Sequence, residues 1–440
     1  MIKIEIRRLS MKRRILRLGI FGLLVSMAIM TTSCSASKVQ LDEKSLEAKA
    51  KIIHSRILSV DTHCDTPSLM TRSNWDIGER HEPGKQGSGK IDLPRMVEGR
   101  LDALFFGVFV GQGALTPEGY QKAKERALQE LEAIDKMCQK YPNLVGPATT
   151  PADAYRLKKQ GKRIAFIGME NGYPIGKDLS LLKAFYERGV RYVTLCHSAD
   201  NDICDSSTDR RNPEDRGLSD FGREVVAECN RLGIMVDVSH MSDKSFADVI
   251  RATKAPIFAS HSCCRALCDS PRNLTDDMLR ALAKNGGVLQ MCILSSYLKA
   301  AKPNPEREKA LKELEAKYGP RRNLQNVQDE ALRKKAMQEY QELMQKFPQD
   351  PQDRATVKDV VDHIDHVVKV VGIDYVGIGT DFDGGGGVNG CDDVSEMFHL
   401  TMELLRRGYS EKEIRKIWGG NIMKVLQEVM DVSNKAEVVK

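Results

Sequence analysis

Away from its first residues this sequence carries no net charge. Residues 1–33 hold seven of the 67 Lys and Arg and one of the 61 Asp and Glu, which leaves 60 of each for the rest of the chain. A surface that binds polyanions needs an excess of bases, so the composition excludes a general nucleic-acid partner. Long apolar runs are missing too: the stretch Leu18 to Met30 is too short to span a bilayer comfortably. No nucleotide fingerprint is present. Gly377-Ile378-Gly379 and Gly384 to Gly387 are glycine-rich, but Asp381 and Asp383 would repel a phosphate and no Gly-Lys-Ser/Thr follows. Nor do the eleven cysteines make a disulfide scaffold, which belongs to short secreted chains. Cys64, Cys196 and Cys292 fall in strand-like apolar runs, where cysteine serves as a small buried hydrophobe. There is room for one or two disulfides in an exported protein, and Cys263, Cys264 and Cys268 reveal no pairing.

What is there begins with a targeting segment. A basic start precedes the apolar run, and the small residues Thr31-Thr32-Ser33 stand directly before Cys34. This is similar to a bacterial lipoprotein signal, although the usual Leu three residues before the Cys is lacking. Met11 offers an alternative start with a more compact signal. The expectation is a signal peptide over 1–33 with Cys34 as first mature residue, and an exported protein that is lipid-anchored or, failing that, periplasmic or secreted.

From residue 50 to 430 the sequence reads as one domain. Eight apolar runs alternate with helical patterns: 57–63, Ala103–Val110, Arg163–Met169, Arg191–Cys196, Ile234–Ser239, Pro256–Ser260, Gly287–Ile293 and Tyr375–Thr380. The runs are continuous rather than alternating, as parallel strands buried on both faces should be. Eight strands alternating with helices predict an α/β fold, a (β/α)8 TIM-type barrel; a doubly wound sheet is the alternative. Lys299 to Asp353, dense in Lys, Glu and Gln, reads as a charged helical insertion after strand seven, with helices over Glu306–Tyr318 and Val327–Phe347. It is either a solvated excursion or, since it follows a strand, a lid or homodimer contact. Val394 to Met430 predicts two further helices, with Ser410 and Glu413 as a capping box.

The chemistry sits at the strand ends. The first run ends in Asp61-Thr62-His63-Cys64-Asp65. Alternate residues of a strand share a face, so His63 and Asp65 point together. The third strand ends at Glu170, the fourth at His197, the fifth at His240, the sixth at His261 and the eighth at Asp381. In a barrel all these ends converge on one mouth, where catalytic groups collect. The count suits two metal ions: His63 and Asp65 for one, His240 and His261 for the other, and Glu170 as a bridge with its two oxygens. That leaves His197 and Asp381 for other work. His54, His81, His363, His366 and His399 read as surface or packing residues.

Taken together, Asp61-x-His63-x-Asp65, Glu170 before Gly172, Val236-Asp237-Val238-Ser239-His240, Phe258-Ala259-Ser260-His261-Ser262, Arg272-Asn273 and Gly379-Thr380-Asp381-Phe382-Asp383-Gly384 resemble the membrane (renal-type) dipeptidases. The resemblance implies a barrel with two zinc ions per subunit that hydrolyses dipeptides by a metal-bridging hydroxide. It implies that His63, Asp65, Glu170, His240 and His261 hold the metals, that His197 and Arg272 contact substrate, and that Asp381 is the acid/base beside it. Arg272 offers a planar fork to the substrate's C-terminal carboxylate. The sequence departs from the family after strand seven, where an aromatic hydroxyl is usual. Here Ile293-Leu294-Ser295-Ser296-Tyr297 leaves that place empty or moved to Tyr297. The family's mammalian members have a C-terminal glycolipid anchor; this chain ends polar, so the expected anchor is N-terminal. Lactonases, deaminases and acylases on the same barrel usually begin with His-x-His, which argues against them. An inactive surface-binding lipoprotein would have lost a ligand, and none is lost.

Overall fold

The computed structural model describes residues 42–438, except 86, 210, 212–213, 320–323, 325–328 and 348–350. The expectations about residues 1–34 lie outside the described residues. Nine parallel strands form the centre: β1 Val60–Cys64, β2 Ala103–Phe109, β3 Val145–Pro147, β4 Arg163–Glu170, β5 Val190–Thr194, β6 Met235–Asp237, β7 Phe258–Ser262, β8 Val288–Met291 and β9 Val376–Ile378. Their order is β1-β2-β4-β5-β6-β7-β8-β9, with β3 off this path and paired to the first residues of β4. The ring is closed past the end of β9. Asp381 N–H donates to His63 O at 3.1 Å, and Asp65 N–H donates to Phe382 O at 2.9 Å. The expected (β/α)8 barrel is therefore the observed one, and β3 is an addition. Three residues with a Gly and a Pro give no strand pattern to read.

Both faces of the strands are buried. Along β2, Ala103 and Phe105 join the interior cluster with Phe166, Tyr192 and Phe258, while Leu104, Phe106 and Val108 pack outward against the helices. This is why the strand sequences are apolar without alternation. The helix Asn421–Val438 contributes Ile422, Val425, Leu426 and Val429 to the interior cluster and so stops the lower end. There too His54, on the helix Glu43–Arg56, is fully buried. It bonds Arg100 O at 3.2 Å and Thr401 Oγ1 at 2.7 Å, and Trp418 Nε1 donates to the same hydroxyl at 2.7 Å. Burial holds the imidazole neutral, with its pKa lowered to about 4.

The charged segment after β8 forms the helices Pro305–Tyr318 and Glu330–Lys346. Their shared core of Leu324, Ala336 and Tyr340 is separate from that of the barrel. The capping box at Ser410 and Glu413 is present, and so is an unread one at Thr150 and Asp153 that starts the helix Pro151–Lys159. All ten described cysteines are free thiols. No helix among the described residues is long and apolar enough to cross a membrane.

Candidate active site

His63, Glu170 and His261 lie within strands, and the other groups lie beyond strand ends. Regular β structure ends at Thr194, Asp237 and Ile378, whereas His197, His240 and Asp381 lie three residues further on, in the turns. Two of these residues are held in the left-handed region, His240 at φ 73° and Asp381 at φ 62°, as is Asn171 beside Glu170 at φ 74°. Such residues cost about 1–3 kcal/mol each and persist only where their surroundings over-determine them.

Two buried carboxylates supply that support. Asp237 accepts from Ser239 N at 3.0 Å, Ser260 N at 2.8 Å and Ser260 Oγ at 2.6 Å, and also from Thr194 Oγ1, so it ties the ends of β5, β6 and β7. Asp61 accepts from Thr380 N at 2.8 Å and Thr380 Oγ1 at 2.6 Å, tying β1 to the turn after β9. Asp61 shares a face with His63 but serves this brace rather than the cluster. After Asp381, the chain folds back so closely that a Cβ on Gly384 would lie 2.2 Å from Asp381 Oδ1 and 2.5 Å from Asp65 Oδ2. Only glycine fits between the two carboxylates.

Glu170 stands at the centre, 2 % exposed. One oxygen, Oε2, faces His63 Nε2 at 3.5 Å. The other, Oε1, faces His240 Nε2 at 3.0 Å, His261 Nε2 at 3.5 Å and His197 Nε2 at 3.7 Å. His63 Nε2 lies 3.4 Å from Asp65 Oδ1 and 3.9 Å from Asp381 Oδ1. The seven residues expected at the barrel mouth are thus together. They form three overlapping groups able to hold an ion: His63, Asp65 and Glu170; Glu170, His197 and His240; and His63, His261 and Asp381. The donors are imidazole nitrogens and carboxylate oxygens, a set suited to zinc. Buried atoms without a hydrogen-bond partner fit a cation here as well: His63 Nε2 and Asp65 Oδ1 both face the cluster.

The electrostatics reflect three carboxylates and four imidazoles packed out of water. Burial disfavours charge on His63, but Tyr192 and the carboxylates Glu170 and Asp65 outweigh it and raise its pKa well above the ordinary value. Glu170 is held well below its own range despite burial, by His63 and His197. Burial, reinforced by Glu170, raises Asp65 to about 6. Asp381 is pushed well above the carboxylate range, first by burial. His240 and His261 are kept neutral by burial and by the cations around them, as ligands must be.

Arg272 lies beside the cluster with its guanidinium buried, at 4 % exposure. It donates to Ser262 Oγ at 3.3 Å and His261 O at 3.2 Å, leaves Nε unpaired, and makes no ion pair among the described residues. Its guanidinium carbon sits 5.2 Å from the centre of the Tyr297 ring. That contact brings Tyr297 into the site. Sequence reasoning missed Phe109, whose ring meets the His197 imidazole edge-on at 4.7 Å, and the braces Asp237, Ser260 and Tyr192. Each reads as ordinary strand until neighbouring strands are in place. His363, expected as packing, is buried against Leu298 O, away from the cluster.

Comparisons with known proteins bear on the family to which the chain belongs. The chain is 31 % identical over 371 residues to Dipeptidase tcpJ of Claviceps purpurea, covering 83 % of this chain and 75 % of that protein. The crystal structure of the probable dipeptidase PvdM from Pseudomonas aeruginosa superposes with a TM-score of 0.76 at 33 % identity, over 89 % of this chain and 100 % of that one. A metallo peptidase from Rhodobacter sphaeroides, solved with a phosphinate mimic of the dipeptide L-Ala-D-Ala, superposes with a TM-score of 0.66 at 25 % identity, over 85 % and 99 %. The family model for membrane dipeptidases matches residues 47–439, the whole barrel with its insertion. The chain belongs to the membrane dipeptidase family, peptidase family M19, and is a metallopeptidase that cleaves peptide bonds.

Proposed function

We propose that this protein is a dipeptidase with two zinc ions per subunit, acting outside the cytoplasm. The observation that carries the reading is Glu170, one oxygen towards His63 and the other towards His240 and His261. In this reading His63 and Asp65 hold one ion, His240 and His261 hold the other, and Glu170 is shared. Zinc bound there supplies an acidified water and polarises the scissile carbonyl.

The chain's own groups do the rest. Arg272, a buried cation with long hydrogen bonds and a spare donor, takes the free C-terminal carboxylate of the substrate. A site that demands this carboxylate selects short peptides. Tyr297, under the guanidinium, holds it flat and takes the place of the aromatic hydroxyl usual after strand seven. Ser198 Oγ lies 2.7 Å from His197 Nδ1, so a hydroxyl donating there leaves His197 Nε2–H free to donate to the carbonyl oxygen as charge develops on it. Asp381, its pKa raised by burial, takes the proton of the attacking water and returns it to the leaving amine. The segment 299–353 follows β8 in the chain, and in this reading it serves as a lid or a dimer contact. Export follows from the N-terminal segment and anchoring from acylation of Cys34. The test is turnover on a panel of dipeptides with metal analysis of the same sample. Two zinc ions and cleavage of free dipeptides are expected. Full turnover in a metal-free sample would refute the reading.

A further inference from the structure

A metal-binding imidazole needs its second nitrogen held, because that bond sets both the tautomer and the ring plane. The three histidines assigned to the ions differ here. His261 Nδ1 meets Ser260 Oγ at 2.7 Å, and Ser260 passes its own proton to Asp237 at 2.6 Å. His240 Nδ1 is buried with no partner among the described residues. His63 Nδ1 meets Tyr192 Oη at 2.7 Å, with both residues fully buried.

The reach of Tyr192 is unusual. It stands on β5 and His63 on β1, with β2 and β4 between them. The two intervening strands open a slot for it. Gly107 and Gly168 are register partners on β2 and β4. A Cβ on Gly168 would lie 1.9 Å from Tyr192 Cζ, and one on Gly107 would lie 2.9 Å from His63 Cε1. Any side chain at either position would separate the phenol from the imidazole. The ring of Tyr192 is wedged between Phe105, with centroids 5.7 Å apart, and Phe258, at 5.3 Å, so the hydroxyl is presented from a fixed place.

We infer that Tyr192 is the positioning residue of the His63 ion. Its phenol oxygen accepts the His63 Nδ1 proton, which leaves the Nε2 lone pair facing Asp65 and Glu170. The inference deepens the two-ion reading and rests on it.

The experiment is a competition titration of the full-length protein with zinc and a chromophoric chelator, read as two binding constants. Tyr192→Phe removes the oxygen and keeps the ring. It should weaken one constant about 10- to 100-fold, the range known for partners of ligating residues. The other constant should stay within about twofold, and the melting temperature of the zinc-free protein should hold. In a His240→Ala background, which retains only the His63 ion, the same loss should appear in the remaining constant. If Tyr192→Phe does not fold, Tyr192→Met fills the space with a flexible side chain and serves instead. Unchanged constants, or an equal loss at both ions, would overturn the assignment. A wild-type protein that binds fewer than two ions would overturn the two-ion reading itself, and that is seen before any variant is made.

Discussion

Arg272→Ala separates binding from chemistry. Arg272 is 4 % exposed, its two hydrogen bonds are 3.2 and 3.3 Å long, and no carboxylate among the described residues pairs with it. Charge-assisted bonds are ordinarily about 2.7–2.9 Å, so the present ones are weak and leave the guanidinium under-satisfied. An uncompensated buried cation is a burden on the fold. Losing it should therefore do little harm to the zinc-free melting temperature. A free dipeptide would complete the pair with its C-terminal carboxylate. Hydrogen bonds to a charged group are worth about 1.5–3 kcal/mol, which at about 1.4 kcal/mol per decade predicts a 10- to 140-fold loss of kcat/KM in the variant. A dipeptide amide never used the clamp, so the variant should act on it much as the wild type does. The assay compares both proteins on one dipeptide and its amide, with zinc content measured in each. An equal loss on both substrates would refute the assignment, because an effect blind to the carboxylate belongs to the metal cluster or the fold.

Asp381→Asn keeps the shape and removes the proton carrier, so kcat should fall about 10²- to 10⁴-fold with both ions retained; loss of zinc in this variant would make Asp381 a ligand. His54 governs an acid limit at the other end of the barrel. Its folded pKa of about 4 lies below its unfolded value near 6.5, so the unfolded chain binds the extra proton between those limits and stability falls as pH drops through that window, by up to about 3 kcal/mol. Chemical denaturation of His54→Gln at pH 7 and pH 4.5 should show a smaller difference than the wild type, and an equal difference would show that His54 does not carry the effect. Replacing 299–353 by a short linker should change KM or the mass in solution while both ions stay bound; unaltered kinetics and mass would make the segment a solvated excursion. Cys34→Ser should move the protein out of the membrane fraction, and unchanged fractionation would exclude acylation there.

The sequence by itself determined the architecture and the inventory of chemistry. Eight strand-length apolar runs, each followed by a helical pattern, can bury both faces only as a parallel sheet under helices, and a barrel is the expected form; that the ring closes, rather than opening into a doubly wound sheet, is seen only in the hydrogen bonds between the ends of β1 and β9. A His, Glu or Asp at one strand end after another is legible without coordinates, because strand ends in such a barrel meet at one mouth. What the tertiary structure decided is how these groups are held. Tyr192 and Ser260 read as ordinary strand residues, and their roles exist only because the barrel brings β5 opposite β1 and β6 beside β7. Gly107 and Gly168 show their purpose only when a Cβ is set against what crosses the slot. The left-handed turns at His240 and Asp381 and the Arg272 guanidinium, which has no ion pair among the described residues and a spare Nε donor, are likewise invisible to periodicity. Periodicity reports which face of an element is buried; it carries no information about which atom of a distant strand is waiting there.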